Sequence, residues 1–172
     1  DQTGNGFLWR TTHSDAWPAE AAADYAIGMS LDAAIYRTDD ALGDNLSAAF
    51  SDRMGGTVCG DVSFTPGTIG ATHTVVDCEA VVIFADATDS ARIVDDLNDK
   101  GFTGQIIGNG AMDSPEFESA VTTSTDDMII VAYAESSFSS SLSDAFEVAY
   151  GMNYGTTPPE FSAEAADGTL MI

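Results

Sequence analysis

The sequence predicts an α/β domain of three layers: a doubly wound, mostly parallel five-stranded sheet with helices on both faces. Three observations predict it. Short apolar runs alternate with amphipathic stretches of about ten to fifteen residues, the rhythm of strand–helix–strand units. The strongest run, Ala80–Phe84 (AVVIF), is apolar without alternation, as a strand covered on both faces is. The 172 residues are 44% hydrophobic, with mean hydropathy near zero. That is enough for a real core in one ordinary domain, and too apolar for intrinsic disorder.

Each element follows from local chemistry. Residues 1–14 are Gly- and Thr-rich and read as an extended entry segment. Ser14 or Asp15 can cap a first helix, with Pro18 in its first turn and Ala19, Ala22, Ala23, Ala26 and Met29 along it. Asp32–Tyr36 (DAAIY) reads as a buried strand, followed by a loop at Arg37–Asp40. A helix is expected from about Ala41 to Met54, with Leu42, Leu46, Ala49 and Phe50 on one face, stopped by Gly55-Gly56. Thr57–Phe64 reads as a second strand, and Thr65–Asp77 as irregular. Ala80–Phe84 is the third strand. Asp89 or Ser90 is expected to cap the next helix, with Ile93, Val94 and Leu97 inward and Lys100-Gly101 at its end. Gln105–Ile107 is the fourth strand, ended by Gly108 and Gly110. Ser114-Pro115-Glu116 opens a short helix, and Asp127–Ala132 is the fifth strand. A helix carrying Leu142, Phe146, Val148, Ala149 and Tyr150 follows, then a loop at Gly151–Pro159 and a last helix from about Glu160 to Ile172. The expected organisation is an entry segment (1–14), an α/β lobe (15–132) and a helical return segment (133–172).

Charge narrows the function. Asp and Glu number 28 against five Lys and Arg and two His, a formal net charge of −23. Nucleic acid is excluded as a direct partner, and anionic membrane surfaces are disfavoured, because both would be repelled. The acids are mostly dispersed Asp, as on a halophilic surface solvated in brine. Calcium is the competing explanation, but no D-x-D-x-D-G…E loop occurs and no metal site can be named. There is no GxGxxG after the first strand and no GxxxxGK[ST], so no nucleotide cofactor is expected. No Ser lies in a GxSxG turn with a placed His, and His13 and His73 read as surface loop residues; the chain is not expected to be an enzyme. Cys59 and Cys78 form a plausible disulfide in an exported protein, and would be buried free thiols in a cytosolic one. No run of 18 apolar residues occurs, so no direct membrane insertion is expected. The chain opens at Asp1 without Met or a signal sequence, as a processed chain or a piece of a longer one does.

In a parallel doubly wound sheet, ligands sit at the carboxyl ends of the strands. The candidates there are Thr38, Asp39, Asp40, Asp86, Thr88, Asn109 and Asp113. Each has a structural alternative: Asp39 shaping a turn, Asp40 capping a helix, Asn109 making a tight turn.

The order of pieces resembles one family, the type I periplasmic binding proteins of the branched-chain amino-acid receptor group. FLWRTTHSDAWPAEAAADYA is similar to that family's entry into its second lobe. AAIYRTDDALGDNLSAAFSDRMGGTV resembles its strand–acidic turn–Gly–helix–Gly-Gly–strand module. EAVVIFADATDSARIVDDLNDKGFTGQIIGNG resembles the next unit, and FEVAYGMNYGTTPPEFSAEAADGTLMI the segment returning to the first lobe. The resemblance implies a flavodoxin-like second lobe that holds a small polar, amino-acid-like ligand against a partner lobe, outside the cytoplasm, for transport or sensing. The missing first lobe and a membrane permease or sensor are the implied partners. Asp39, Leu42, Asp86, Thr88, Asn109 and Gly110 fall at its cleft positions. The sequence departs from the family where Leu42 stands for an aromatic, where Ala85-Asp86-Ala87-Thr88 replaces aromatics, and where Gly110 stands for an ammonium-binding carboxylate; Asp86 or Asp113 could take that role. The segment between the second and third strands is also short for the family's helix. An alternative reading is a solitary extracellular module for structure or interaction that self-assembles into a surface layer or filament, with calcium as a candidate trigger.

Overall fold

The structure is a computed structural model describing residues 14, 16–56, 58–69, 76–132 and 141–158. The chain divides into two compact units, 15–133 and a second made of 1–14 with 134–172. The first unit carries helix α1 (Trp17–Met29), strand β1 (Ala33–Thr38), α2 (Ala41–Arg53), β2 (Gly60–Phe64), β3 (Ala80–Phe84), α3 (Ala87–Asp99), β4 (Gln105–Asn109), a 3-10 turn at Gly110–Met112, α4 (Pro115–Ala120) and β5 (Ile129–Val131). The second carries α5 (Ser141–Tyr154). The entry segment at 1–13 and the last helix expected at Glu160–Ile172 lie outside the described residues.

All five strands pair in parallel, in the order β2-β1-β3-β4-β5. The sheet is therefore fully parallel, as an alternating strand–helix chain requires. Successive residues of β1 enter opposite cores. Ala33 and Ile35 pack with the alanines of α1 and with Leu46 and Phe50 of α2. Ala34 and Tyr36 pack with Ile93, Val94 and Leu97 of α3 and Phe117 of α4. The central strands are buried on both sides, which is why AAIY and AVVIF show no polar alternation. Phe50 meets Phe84 edge to face, ring centroids 6.1 Å apart.

Several boundaries differ from the sequence reading. Ala16, without a side-chain bond, stands at the cap of α1 instead of Ser14 or Asp15. Pro18 in the first turn has no amide hydrogen to satisfy, which lowers the need for a cap. β1 runs on to Thr38, because Arg37 pairs across the sheet with Asp61 of β2 and the ladder continues to Phe64. β2 starts at Gly60, three residues later than expected from Thr57. β4 extends to Asn109, and β5 is confined to Ile129–Val131. α3 is capped by Asp86, whose carboxylate accepts from the Asp89 amide; neither Asp89 nor Ser90 is the cap, and both are buried. Leu42 is 55% exposed instead of facing the core, since the buried face of α2 runs through Gly43, Leu46, Ser47 and Phe50. α5 continues through Gly151 to Tyr154, where a loop was expected; the rings of Phe146, Tyr150 and Tyr154 stack along it at 5.9 and 4.5 Å.

Candidate functional site

β1 continues into α2 on one face of the sheet, and its neighbour β3 continues into α3 on the other. The two connections leave in opposite directions, and in open parallel sheets such a switch point is where a ligand crevice lies, here at the carboxyl ends of β1 and β3. The strand ends are level there, with Arg37 opposite Phe84 and Ile83 opposite Gly108.

The β1 wall is a tight turn. The Asp39 amide donates to the Phe64 carbonyl at 2.8 Å, and the Asp39 carboxylate accepts from the Thr65 hydroxyl at 2.8 Å. Asp40 caps α2, accepting from the Gly43 amide at 2.8 Å. That bond, helped by the Thr38 hydroxyl and the Leu42 amide, outweighs burial and holds the Asp40 carboxyl below the usual range. Gly43 is obligatory on packing grounds: a Cβ there would lie 2.1 Å from the Thr38 carbonyl oxygen. Leu42 projects from the first turn into solvent.

The β3 wall is the start of α3. Asp86 and Thr88 are exposed, and Asp86 accepts from the Asp89 amide at 2.8 Å. Asp89 itself is 1% exposed. Its carboxylate accepts from the Gly67 amide at 2.6 Å and from Arg92 at 3.1 Å, and Arg92 also donates to the Gly67 carbonyl at 3.3 Å. The turn after β2 is thus fastened to α3 at Gly67 and to the β1 wall at Thr65. The sequence reading missed this use of Asp89 and Arg92. Their i,i+3 spacing on a helix was the available signal, but the partner they share is the backbone of Gly67, 22 and 25 positions away, whose amide donates to Asp89 and whose carbonyl accepts from Arg92.

At the end of β4, Asn109 donates to the Ala85 carbonyl at 3.1 Å and accepts from the Ala111 amide at 3.2 Å, joining the β3 and β4 ends. Gly110 opens the 3-10 turn close to Ala132. Asp113 is exposed just beyond. The six predicted ligand positions therefore lie at the carboxyl ends of three neighbouring strands: Asp39 and Leu42 after β1, Asp86 and Thr88 after β3, Asn109 and Gly110 after β4.

Cations are committed elsewhere. Arg37 pairs with Asp44 and, at 2.9 Å, with Asp61; these carboxylates overcome burial and raise its pKa. Arg53 binds Asp24 at 2.6 and 2.9 Å, and Lys100 binds Asp96 at 2.7 Å. With Arg92 on Asp89, every Lys and Arg among the described residues is paired with a carboxylate. Among the described residues no group of three His, Cys, Asp or Glu could hold a metal ion, and no helix is long and apolar enough to cross a membrane. His13 and His73 lie outside the described residues. Cys59 and Cys78 are joined as a disulfide at the opposite, amino-terminal end of the sheet, their Cα atoms 6.3 Å apart.

No protein-family model matches the chain, and no curated protein matches it. Solved structures do. A leucine-binding protein, LivK, from Thermotoga maritima superposes with TM-score 0.78 at 21% identity, over 98% of this chain and 51% of its own. The branched-chain amino acid transporter substrate-binding protein LivJ from Streptococcus pneumoniae, solved with isoleucine, gives 0.68 at 19% identity, over 91% and 48%. A solute-binding protein of an ABC transporter from R. palustris, solved with benzoate, gives 0.68 at 18% identity, over 93% and 47%. The chain spans about half the length of the structures it matches. The expected fold is thereby borne out: an all-parallel α/β lobe of the kind these solute-binding proteins contain.

Proposed function

We propose that the chain is a ligand-binding lobe of an extracytoplasmic solute-binding protein, which closes with a partner lobe on a small molecule and performs no chemistry. The observation that carries this reading is the superposition of nearly the whole chain on half of proteins solved with isoleucine and benzoate. The crevice at the β1–β3 switch point supports it, because that is where open parallel sheets bind ligands. The disulfide supports a location outside the cytoplasm, where such bonds persist.

In this reading Asp39, Leu42, Asp86, Thr88, Asn109 and Gly110 form this lobe's side of the cleft. Asn109, Asp40 and Asp86 hold the turns in place through backbone bonds. Leu42 and Thr88, exposed on the first turns of α2 and α3, are the side chains freest to meet a ligand. The first lobe and a membrane permease are the partners. The domain roles follow: 15–132 is the lobe, with 1–14 and 133–172 as its connections to the other lobe.

The test has two steps. The intact mass of the protein from its own source is measured; roughly twice 17.9 kDa is expected for a two-lobed protein of ordinary domain size. That protein is then titrated calorimetrically with leucine, isoleucine and benzoate. A native mass of 17.9 kDa with no heat from any of the three would overturn the reading.

A further inference from the structure

In its described residues the connection from β2 to β3 differs from its neighbours. The chains from β1 to β2 and from β3 to β4 each carry a helix of 13 residues, α2 and α3. Between β2 and β3 the described residues, 65–69 and 76–79, contain no helix. They still cover the core. Ile69 is buried, and Val76 and Cys78 pack on the cluster that includes Tyr36, Val81 and Ile83. Val76 closes over Gly60, where an added Cβ would lie 2.9 Å from a Val76 methyl. Without a helix's internal hydrogen bonds, this strap of described residues depends on its fastenings. At the carboxyl end of the sheet these are polar: Thr65 on Asp39, Gly67 on Asp89 and Arg92. At the amino end there is the disulfide, joining the residue before β2 to a residue just before β3, on either side of β1. β2 is an edge strand, held on one side by β1 alone.

We infer that the Cys59–Cys78 bridge is a redox-sensitive fastening for the rim of the crevice: its reduction loosens β2, the Thr65–Ile69 turn and Asp39 together, and leaves β3, β4 and α3 in place. Asp39 is included because both of its fastenings, the Phe64 carbonyl and the Thr65 hydroxyl, belong to the loosened segment. Cys59 is exposed and within reach of a small dithiol. A dithiol thiolate attacks the Cys59 sulfur, and Cys78 leaves as a thiolate that takes up a proton. The dithiol's second thiolate then closes on the first, forming its own disulfide and releasing Cys59 as a thiol. Two electrons pass from the dithiol to the bridge. The consequence for ligand affinity rests on the proposed function; the loosening itself is a property of the lobe alone.

The test is backbone hydrogen exchange of this chain before and after reduction with dithiothreitol, repeated on the Cys59→Ser/Cys78→Ser double variant. Acceleration at residues 60–69 and at the Asp39 amide is expected to be at least tenfold beyond the acceleration that the loss of global stability gives at Val82 and Ile107. Equal acceleration across the whole sheet would overturn the inference, since the bridge would then hold the fold and not the strap. Unchanged exchange at residues 60–69 would overturn it too. Should the double variant fail to fold, reduction of the folded protein gives the same reading. The measurement uses no ligand, so its failure leaves the calorimetric test standing, and a failed titration leaves the loosening intact.

Discussion

Gly43 and Gly28 are both helical glycines, and their substitution by alanine should have opposite signs. An alanine Cβ at position 43 would sit 2.1 Å from the Thr38 carbonyl oxygen and 2.9 Å from its hydroxyl. Ordinary contact begins near 3.4 Å, so about 1.3 Å must be found. The obstructing atom is backbone at the end of β1, where Thr38 is paired with Phe64 of β2, and it cannot swing aside. Overpacking of this kind costs about 1–3 kcal/mol, sometimes more. The Gly43 amide also makes the Asp40 cap, and losing a cap costs about 1 kcal/mol. Against these, alanine is worth about 1 kcal/mol over glycine in a helix. The net loss is about 1–3 kcal/mol, or roughly 4–12 °C in Tm for a unit of this size. Gly28 is exposed near the end of α1 with nothing within 4 Å of an added Cβ, so Gly28→Ala keeps only the helical gain, up to about 1 kcal/mol. Thermal unfolding followed by circular dichroism on the two variants reads both signs. A Gly43→Ala protein as stable as the parent would refute the argument that this glycine is fixed by the approach of the β1 turn.

Four further outcomes are expected. Asp95 accepts from the amides and hydroxyls of Thr122 and Thr123; burial pushes its carboxyl up, but these four donors outweigh burial and hold it below the ordinary value. A depressed folded pKa gives stability that is present above the unfolded value near 4 and lost as pH falls through the folded one. The stability gap between the parent and Asp95→Asn, about 1–2 kcal/mol at pH 7, should therefore narrow towards pH 3, and a constant gap would contradict the assignment. Asp89→Ala strips the partner from the Gly67 amide and from Arg92 and empties a buried position, and should cost about 2–3 kcal/mol in urea unfolding, whereas Asp86→Ala removes a cap and should cost about 1. The reverse order would restore Asp89 as the cap. Reducing the disulfide should cost about 3 kcal/mol for a closed loop of this length, read from the shift in urea midpoint. With a net charge of −23, Tm should climb between 10 mM and 1 M KCl as like charges are screened, and a flat profile would mean the acids are spaced too widely to repel.

Much of the sheet was legible because its central strands are apolar throughout. AVVIF at 80–84 was placed to the residue, and Gly55-Gly56, at φ 69° and 79°, closed α2 as expected. What escaped was decided by partners far away in sequence. β1 outran its apolar run because Arg37 finds Asp61 and Asp44. Asp86 won the cap from Asp89 because Asp89 had a better use in a buried site, holding Gly67. Leu42 looked like core because Leu42, Leu46, Ala49 and Phe50 share helical spacing, yet Gly43 takes the inward position of that turn. The candidate site was legible at the level of strand ends, which topology dictates. It was not legible at the level of free donors and acceptors, because Asp40, Asp86 and Asn109 spend theirs on the backbone.

The pairing of every described Lys and Arg has a kinetic consequence. A small anion diffusing towards the strand-end crevice meets Asp39, Asp40, Asp86 and Asp113, with no uncompensated cation on these elements to draw it in. Encounter between like charges is slowed at low ionic strength and quickens as salt shortens the reach of the field. Arrival of a carboxylate at this face should therefore become faster in brine, and arrival of an ammonium slower. The field of the lobe would then sort its visitors before any of them touches it.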